Sequence, residues 1–167
     1  PEAPFMKHAV SPGDTCLHFG GSDGRHSYLL SSLVGASGRV HVYEPSSYSF
    51  SILERLIRWH GLTNVTAHRA AIGAAEGSLI LSVPKKRSGH LGRAYGVVSD
   101  VGRRSSEQEL AQANDTRFIQ EETPVVSLDG LVRAEGLERV DFIRCDVEGA
   151  EIRMIEGGRK TLERDLP

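Results

Sequence analysis

Residues 16–30 read CLHFGGSDGRHSYLL. An apolar run stops at Gly20, Gly21 and Gly24, and an apolar pattern at helical spacing resumes from Tyr28. This is how a strand hands over to a helix around a bound nucleotide. Glycines allow a tight turn and bring backbone close to a ligand, and the N–H groups that open the helix favour an anion. The next strand pattern ends at Glu44, and 44 − 24 = 20 residues separate it from the last loop glycine. At that spacing an acid accepts hydrogen bonds from the two hydroxyls of a ribose. A further acidic set, Asp146, Glu148 and Glu151, follows the run VDFIRC. Carboxylates there can act as general bases or, if they converge, hold a hard cation. His26 is a further base candidate. No other acid is placed to join the set, so no metal is expected, and the histidines show no paired ligand spacing along the chain.

The nucleotide can be narrowed. A dinucleotide fingerprint starting at Gly20 needs glycine at 22 and 25, where the chain has Ser22 and Arg25. A phosphate loop is excluded, because no Gly-Lys-Ser/Thr follows the glycines. What remains is an adenosine carrying no phosphate, and S-adenosylmethionine fits that description.

These residues need a scaffold. Pro12-Gly13-Asp14 is a turn signal before a short buried strand at 15–19. Tyr28, Leu29, Leu30, Leu33 and Val34 recur at helical spacing, and Gly35 ends that helix. A strand at 39–43 runs into Glu44-Pro45. Ser46 or Ser47 can cap the next helix, which places Phe50, Leu53, Leu56, Ile57 and His60 on one inward face before Gly61. His60 therefore reads as a core histidine. A third strand is expected at 64–70. Residues 78–83 and 123–128 are expected to form an antiparallel pair, with the long segment 85–120 between them as a substrate-side loop or plain surface. A short helix at 129–135, a strand at 140–147 and a helix at 149–163, with Ile152, Ile155 and Leu162 facing inward, complete the pattern. Alternating strands and helices predict an α/β fold: a Rossmann-like, doubly wound, mostly parallel sheet with helices on both faces. Its ligands bind beyond the carboxyl ends of the strands, where the glycines and acids fall.

The strand at 140–147 is apolar on both faces, as for a central parallel strand. No later segment of the chain is available for its far edge. That edge is expected to pair with a second copy of the chain or with residues outside this sequence.

The 167 residues read as one domain, with a net charge of −2. That charge gives no field for nucleic acid or a membrane surface, and no apolar run reaches the ~20 residues that span a bilayer. There is no signal peptide pattern, although the chain begins with Pro1 rather than Met, and a cytoplasmic location is expected. Two cysteines make no disulfide framework, so Cys16 and Cys145 are expected as free thiols. Arginine greatly outnumbers lysine, and alanine and glycine are plentiful, a hint of a GC-rich bacterial genome.

Five segments in order, SPGDTCLHFGGSDGRHSYLL, GRVHVYEPSSYSFSILERL, HGLTNVTAHRAAIG, TPVVSLDGL and VDFIRCDVEGAEIRMIEGG, resemble the class I S-adenosylmethionine-dependent methyltransferases of the FkbM type. The last segment carries the most specific part of the resemblance. It implies that Gly20, Gly21, Ser22 and Gly24 wrap the methionine part of the cofactor, with Ser27 near its carboxylate. Glu44 would hold the ribose, and Pro45, Ser46, Ala70 and Ala71 would flank the adenine. Asp146 would face the cofactor's amino group or reactive methyl, with Glu148 and Glu151 beside it. The implied reaction is methyl transfer to a hydroxyl of a small molecule or sugar, in secondary metabolism or glycan modification, with Asp146, Glu148 and His26 as candidate bases. The resemblance also implies further strands after residue 167 that complete the sheet. One departure concerns the cofactor: the family's acid before the loop is His18 here, and a neutral imidazole brings no negative charge. Asp23 offers a carboxylate from another position. The alternative is a non-catalytic cofactor-binding or interaction domain on the same fold. The failed dinucleotide fingerprint argues against an oxidoreductase.

Overall fold

The computed structural model describes residues 2–85, 97–98, 117–147 and 149–167. Most of the segment expected as a long insert, and Glu148, lie outside the described residues.

Four strands, β1 (Thr15–Phe19), β2 (Arg39–Tyr43), β3 (Val65–His68) and β8 (Phe142–Cys145), form a parallel sheet in the order β3-β2-β1-β8. A second sheet, in the order β4-β7-β5-β6, is built from β4 (Ala71–Gly73), β5 (Gly77–Lys85), β6 (Val97–Val98) and β7 (Arg117–Ser127). The expected antiparallel pair is β5 with β7, from Gly77 against Val125 to Lys85 against Arg117. β4, unforeseen in the sequence because it is so short, runs parallel to the end of β7.

Alternation along the parallel strands divides the core into two layers. On one face Cys16, Val40, Val42 and Phe142 meet Met6 and Val10, Leu30 and Val34 of α2 (Arg25–Val34) and Leu53 of α3 (Ser47–His60). Met6 belongs to α1 (Glu2–Ala9), a helix with too weak an apolar pattern to be expected from the sequence. On the other face Leu17, Phe19 and Tyr43 meet Leu128, Leu131 and Val132 of α4 (Leu128–Ala134) and Met154 of α5 (Glu151–Glu156). The expected architecture, helices on both faces of a mostly parallel sheet, is the observed one.

Three expectations need correction. The helix expected at 149–163 is broken into α5 and α6 (Arg159–Asp165). A Cβ on Gly157 would lie 2.4 Å from the Gly73 carbonyl oxygen, and one on Gly158 would lie 2.3 Å from the Leu128 side chain. Close approach to β4 and α4 therefore sets the break, and Asp129 restarts the helix by accepting from the Thr161 N–H at 2.9 Å and the Thr161 hydroxyl at 2.8 Å. In so short a helix as α5 only Met154 is buried, which leaves Ile152 and Ile155 in solvent, while Leu162 does pack on the core. His60 is exposed as well. In the last turn of α3 Ile57 still packs on the core, while the His60 ring turns outward and rests edge-on against Tyr28 at 4.8 Å.

β8 pairs with β1 on one side and, among the described residues, with no strand on the other. Cys16 sits opposite Phe142 while Cys145 sits opposite Phe19, so the two thiols are out of register and both are free. Among the described residues, no helix is long and apolar enough to cross a membrane.

Candidate functional site

The carboxyl ends of β1, β2 and β8 converge on the glycine loop. Gly20 has φ +85, and a Cβ there would sit 2.1 Å from the Asp146 carbonyl oxygen. Glycine is thus required twice, by conformation and by the crossing of the loop over the end of β8. Gly21 packs against Val42, and Gly24, at φ +79, begins α2. The N–H groups of Gly20 and Gly21 both donate to the Tyr43 carbonyl, at 3.0 and 3.2 Å. This ties the loop to the end of β2, the strand that carries Glu44.

Glu44 is buried, not an exposed strand-end acid. Its Oε2 accepts from the Ser22 N–H at 2.8 Å and its Oε1 from the Ser46 N–H at 3.0 Å. Burial pushes its carboxyl up, and the two N–H groups pull the other way. Ser22 holds φ 45, left-handed without being glycine. Ser46 also caps α3, its hydroxyl accepting from the Ser49 N–H, which resolves the cap to Ser46 rather than Ser47. Glu44 thus clamps the glycine loop on one side and the start of α3 on the other.

Ser27 lies in the first turn of α2, fully buried, and its hydroxyl is 2.9 Å from His18 Nδ1. His18 Nε2 lies 3.0 Å from Arg144 Nη1. A guanidinium can only donate. The imidazole is therefore neutral, with Nε2 accepting from Arg144 and Nδ1–H donating to Ser27. Burial, then Arg144, then His26 push His18 down to about 3. Arg144 also meets Glu2 at 2.8 Å and Asp146 at 3.1 Å. Arg144 was not among the residues whose spacing suggested chemistry. Its one signal was a charged residue in an otherwise apolar strand, at a position alternating with Phe142 on the side of α1.

Of the candidate bases, Asp146 is 62% exposed at the end of β8, beside the loop. His26 stands 3.5 Å from Glu2 and edge-on to His18 at 6.2 Å. Glu151 reaches back to accept from the Val147 N–H at 3.2 Å, a capping role at the start of α5. Asp23 is paired with Arg25 at 2.9 Å. Pro45 is half-buried, and its carbonyl accepts from the Thr123 hydroxyl at 3.3 Å. Ala70 is buried and Ala71 opens β4, on the short segment that leaves β3. Gly20, Gly21, Ser22, Gly24, Ser27, Glu44, Ser46 and Asp146 are linked by direct contacts or short loops at one end of the sheet. Together they make a glycine loop closed over a buried acid at the ribose-binding spacing, with no phosphate-loop lysine after the glycines.

The sequence pattern of the methyltransferase FkbM domain matches residues 18–167. This chain belongs to the FkbM methyltransferase domain family. Methyltransferase 1 from Beauveria bassiana is 28% identical to the FkbM domain described here over 121 residues, 71% of this chain and 48% of that protein. The chain therefore spans about half the length of that relative. The crystal structure of methyltransferase FkbM from Methylobacillus flagellatus superposes with a TM-score of 0.60 at 14% identity, covering 99% of this chain and 38% of that one. That superposition supports the fold.

One grouping was not legible in the sequence. His41 and His68, which show no ligand spacing along the chain, come together across β2 and β3, with Nδ1 and Nε2 3.3 Å apart. Glu135, at the end of α4, faces both.

Proposed function

We propose that this FkbM domain binds S-adenosylmethionine across the 20–24 loop and Glu44, and that it methylates a hydroxyl group of a small molecule or sugar. The observation that carries the proposal is the Glu44 carboxylate, fixed at the end of β2 by one backbone N–H on each oxygen. Each oxygen keeps lone-pair capacity for a further donor, which suits the two hydroxyls of a ribose. The loop residues Gly20, Gly21, Ser22 and Gly24 suit the methionine part, and Pro45, Ser46, Ala70 and Ala71 the adenine. S-adenosylmethionine, when bound, supplies a methyl group on a sulfonium centre. An acceptor hydroxyl must give up its proton as its oxygen is alkylated. Asp146, exposed beside the loop and held by Arg144, is the described carboxylate best placed to take that proton. Alignment of acceptor and methyl group, with exclusion of water, is the remaining contribution asked of the protein.

Calorimetric titration tests the cofactor. S-adenosylmethionine and S-adenosylhomocysteine should bind and NAD should not; tight NAD binding without response to either sulfur compound overturns the proposal. Methyl-labelled cofactor offered with hydroxyl-bearing sugars and small molecules tests the acceptor class.

One observation favours a second reading, a non-catalytic domain. Where the family has an acid, a neutral imidazole is held against a guanidinium. Cofactor binding with no label transferred to any hydroxyl acceptor would support that reading over catalysis.

A further inference from the structure

We infer that His41, His68 and Glu135 form a binding site for a divalent transition-metal ion of the zinc type. Strand register makes the pair. Tyr43 is opposite His68 and His41 is opposite Thr66, so the two histidines are diagonal neighbours on the same face of adjacent parallel strands. Their nearest ring nitrogens are 3.3 Å apart. Glu135, at the C-terminal end of α4, brings Oε2 to 3.8 Å from His41 Nδ1 and Oε1 to 3.7 Å from His68 Nδ1.

These spacings approach a coordination shell. Bonds of ~2.0–2.1 Å around a tetrahedral zinc ion put its ligand atoms about 3.3–3.4 Å apart. His41 Nδ1 and His68 Nε2 already have that spacing, while Glu135 lies nearest the other ring nitrogen of His68. One donor atom from each of the three residues can be chosen so that all lie within 4.8 Å of one another. Closing the widest gap takes at most about 1.5 Å, within reach of the Glu135 side chain, which is one-third exposed. Two imidazoles and one carboxylate suit zinc and its transition-metal neighbours, not calcium or magnesium, which take oxygen shells.

A second observation stands beside the cluster. The Tyr43 ring stacks on His68 at 4.5 Å and 9°, and its buried hydroxyl has no hydrogen-bond partner among the described residues. A buried hydroxyl left in this way calls for a group such as a bound water or ion-held water. Three protein ligands leave a zinc ion an open position for water.

The site is separate from the proposed cofactor site. Alternation along β2 puts His41 and Tyr43 on the face opposite Val42 and Glu44. A metal here would tie β2, β3 and α4 together as a structural clip, whatever the loop at 20–24 binds.

Metal-stripped protein titrated with Zn2+ tests this. The wild type should bind one ion at this site, and its melting temperature should rise by about 5–10 °C when Zn2+ exceeds its dissociation constant about 100-fold. His68→Gln and Glu135→Gln should each weaken binding at least ~100-fold and abolish the rise, while His60→Gln, an exposed histidine elsewhere, should retain both. Co2+ in place of zinc should give the intense visible absorption of a four- or five-coordinate site in the wild type, a readout that needs no variant. No rise in melting temperature, a rise that survives both ligand substitutions, or the pale spectrum of six-coordinate cobalt overturns the inference.

Discussion

Arg144 holds His18 in a single tautomer: one guanidinium nitrogen lies 3.0 Å from Nε2, inside a sheet whose other residues at that level are apolar. The imidazole also faces Ser27 and His26 on α2, while Arg144 is shared with Glu2 and Asp146. Protonating His18 would set a second cation against Arg144 in a buried position.

The consequence is an acid-sensitive fold. The folded-state value of His18, about 3, lies below the ordinary 6.5. The unfolded chain therefore binds the extra proton first. Stability from this residue is complete above pH ~6.5 and is lost as pH falls, by at most ~1.4 kcal/mol per pH unit, until the folded value is reached. His18→Gln, which keeps an acceptor for Arg144, should narrow the gap to wild type by ~1–2 kcal/mol between pH 7 and pH 5. Urea unfolding at the two values checks this; a constant gap would mean that His18 is accessible to protons in the folded state.

Glu44→Gln should lower affinity for S-adenosylmethionine by ~1.5–3 kcal/mol, the range for hydrogen bonds to a charged group. It should also cost stability, because the new amide would face a backbone N–H of Ser22 or Ser46 that now donates to a carboxylate oxygen. Calorimetry together with thermal unfolding separates the two effects. Full stability with unchanged affinity would reduce Glu44 to an ordinary buried acid.

Gly20→Ala should destabilise the domain by ~2–6 kcal/mol. The left-handed backbone costs of order 1–3 kcal/mol for a residue with a side chain, and overpacking adds ~1–3 kcal/mol, since the new methyl would meet the Asp146 carbonyl. Gly35→Ala is the control: its φ is +66, but a Cβ there meets nothing within 4 Å, so only the conformational part of the cost applies. Equal losses in the two variants would show that the loop can move away from β8.

What the sequence disclosed was local. Gly35 and Gly61 end helices, and Glu44 follows a strand, because those signals depend on a few neighbouring residues. The burial of Glu44 depends on Ser22 and Ser46 closing over it from either side. The pairing of His41 with His68 depends on cross-strand register, and that of His18 with Arg144 on β1 meeting β8 across more than a hundred residues. Gly157 and Gly158 break a helix at negative φ, for close approach alone, which no turn rule detects.

His18→Asp introduces the acid that the family resemblance implies, in a position that Arg144 already faces. The new carboxylate should pair with the guanidinium, so the variant should fold with a loss of no more than ~1–2 kcal/mol, the buried charge being compensated. The cluster gains a negative charge, and affinity for the cationic cofactor should stay equal or rise. Adding Arg144→Met removes the compensation and leaves a buried, unpaired carboxylate, at a further cost of ~3–5 kcal/mol. Arg144→Met in the wild-type background should cost much less, because a neutral imidazole remains. Urea unfolding of the four proteins gives the coupling between positions 18 and 144, and calorimetry gives the affinity. A coupling near zero would mean that the acid points away from Arg144, and a large loss of affinity in His18→Asp would mean that the imidazole itself serves the cofactor.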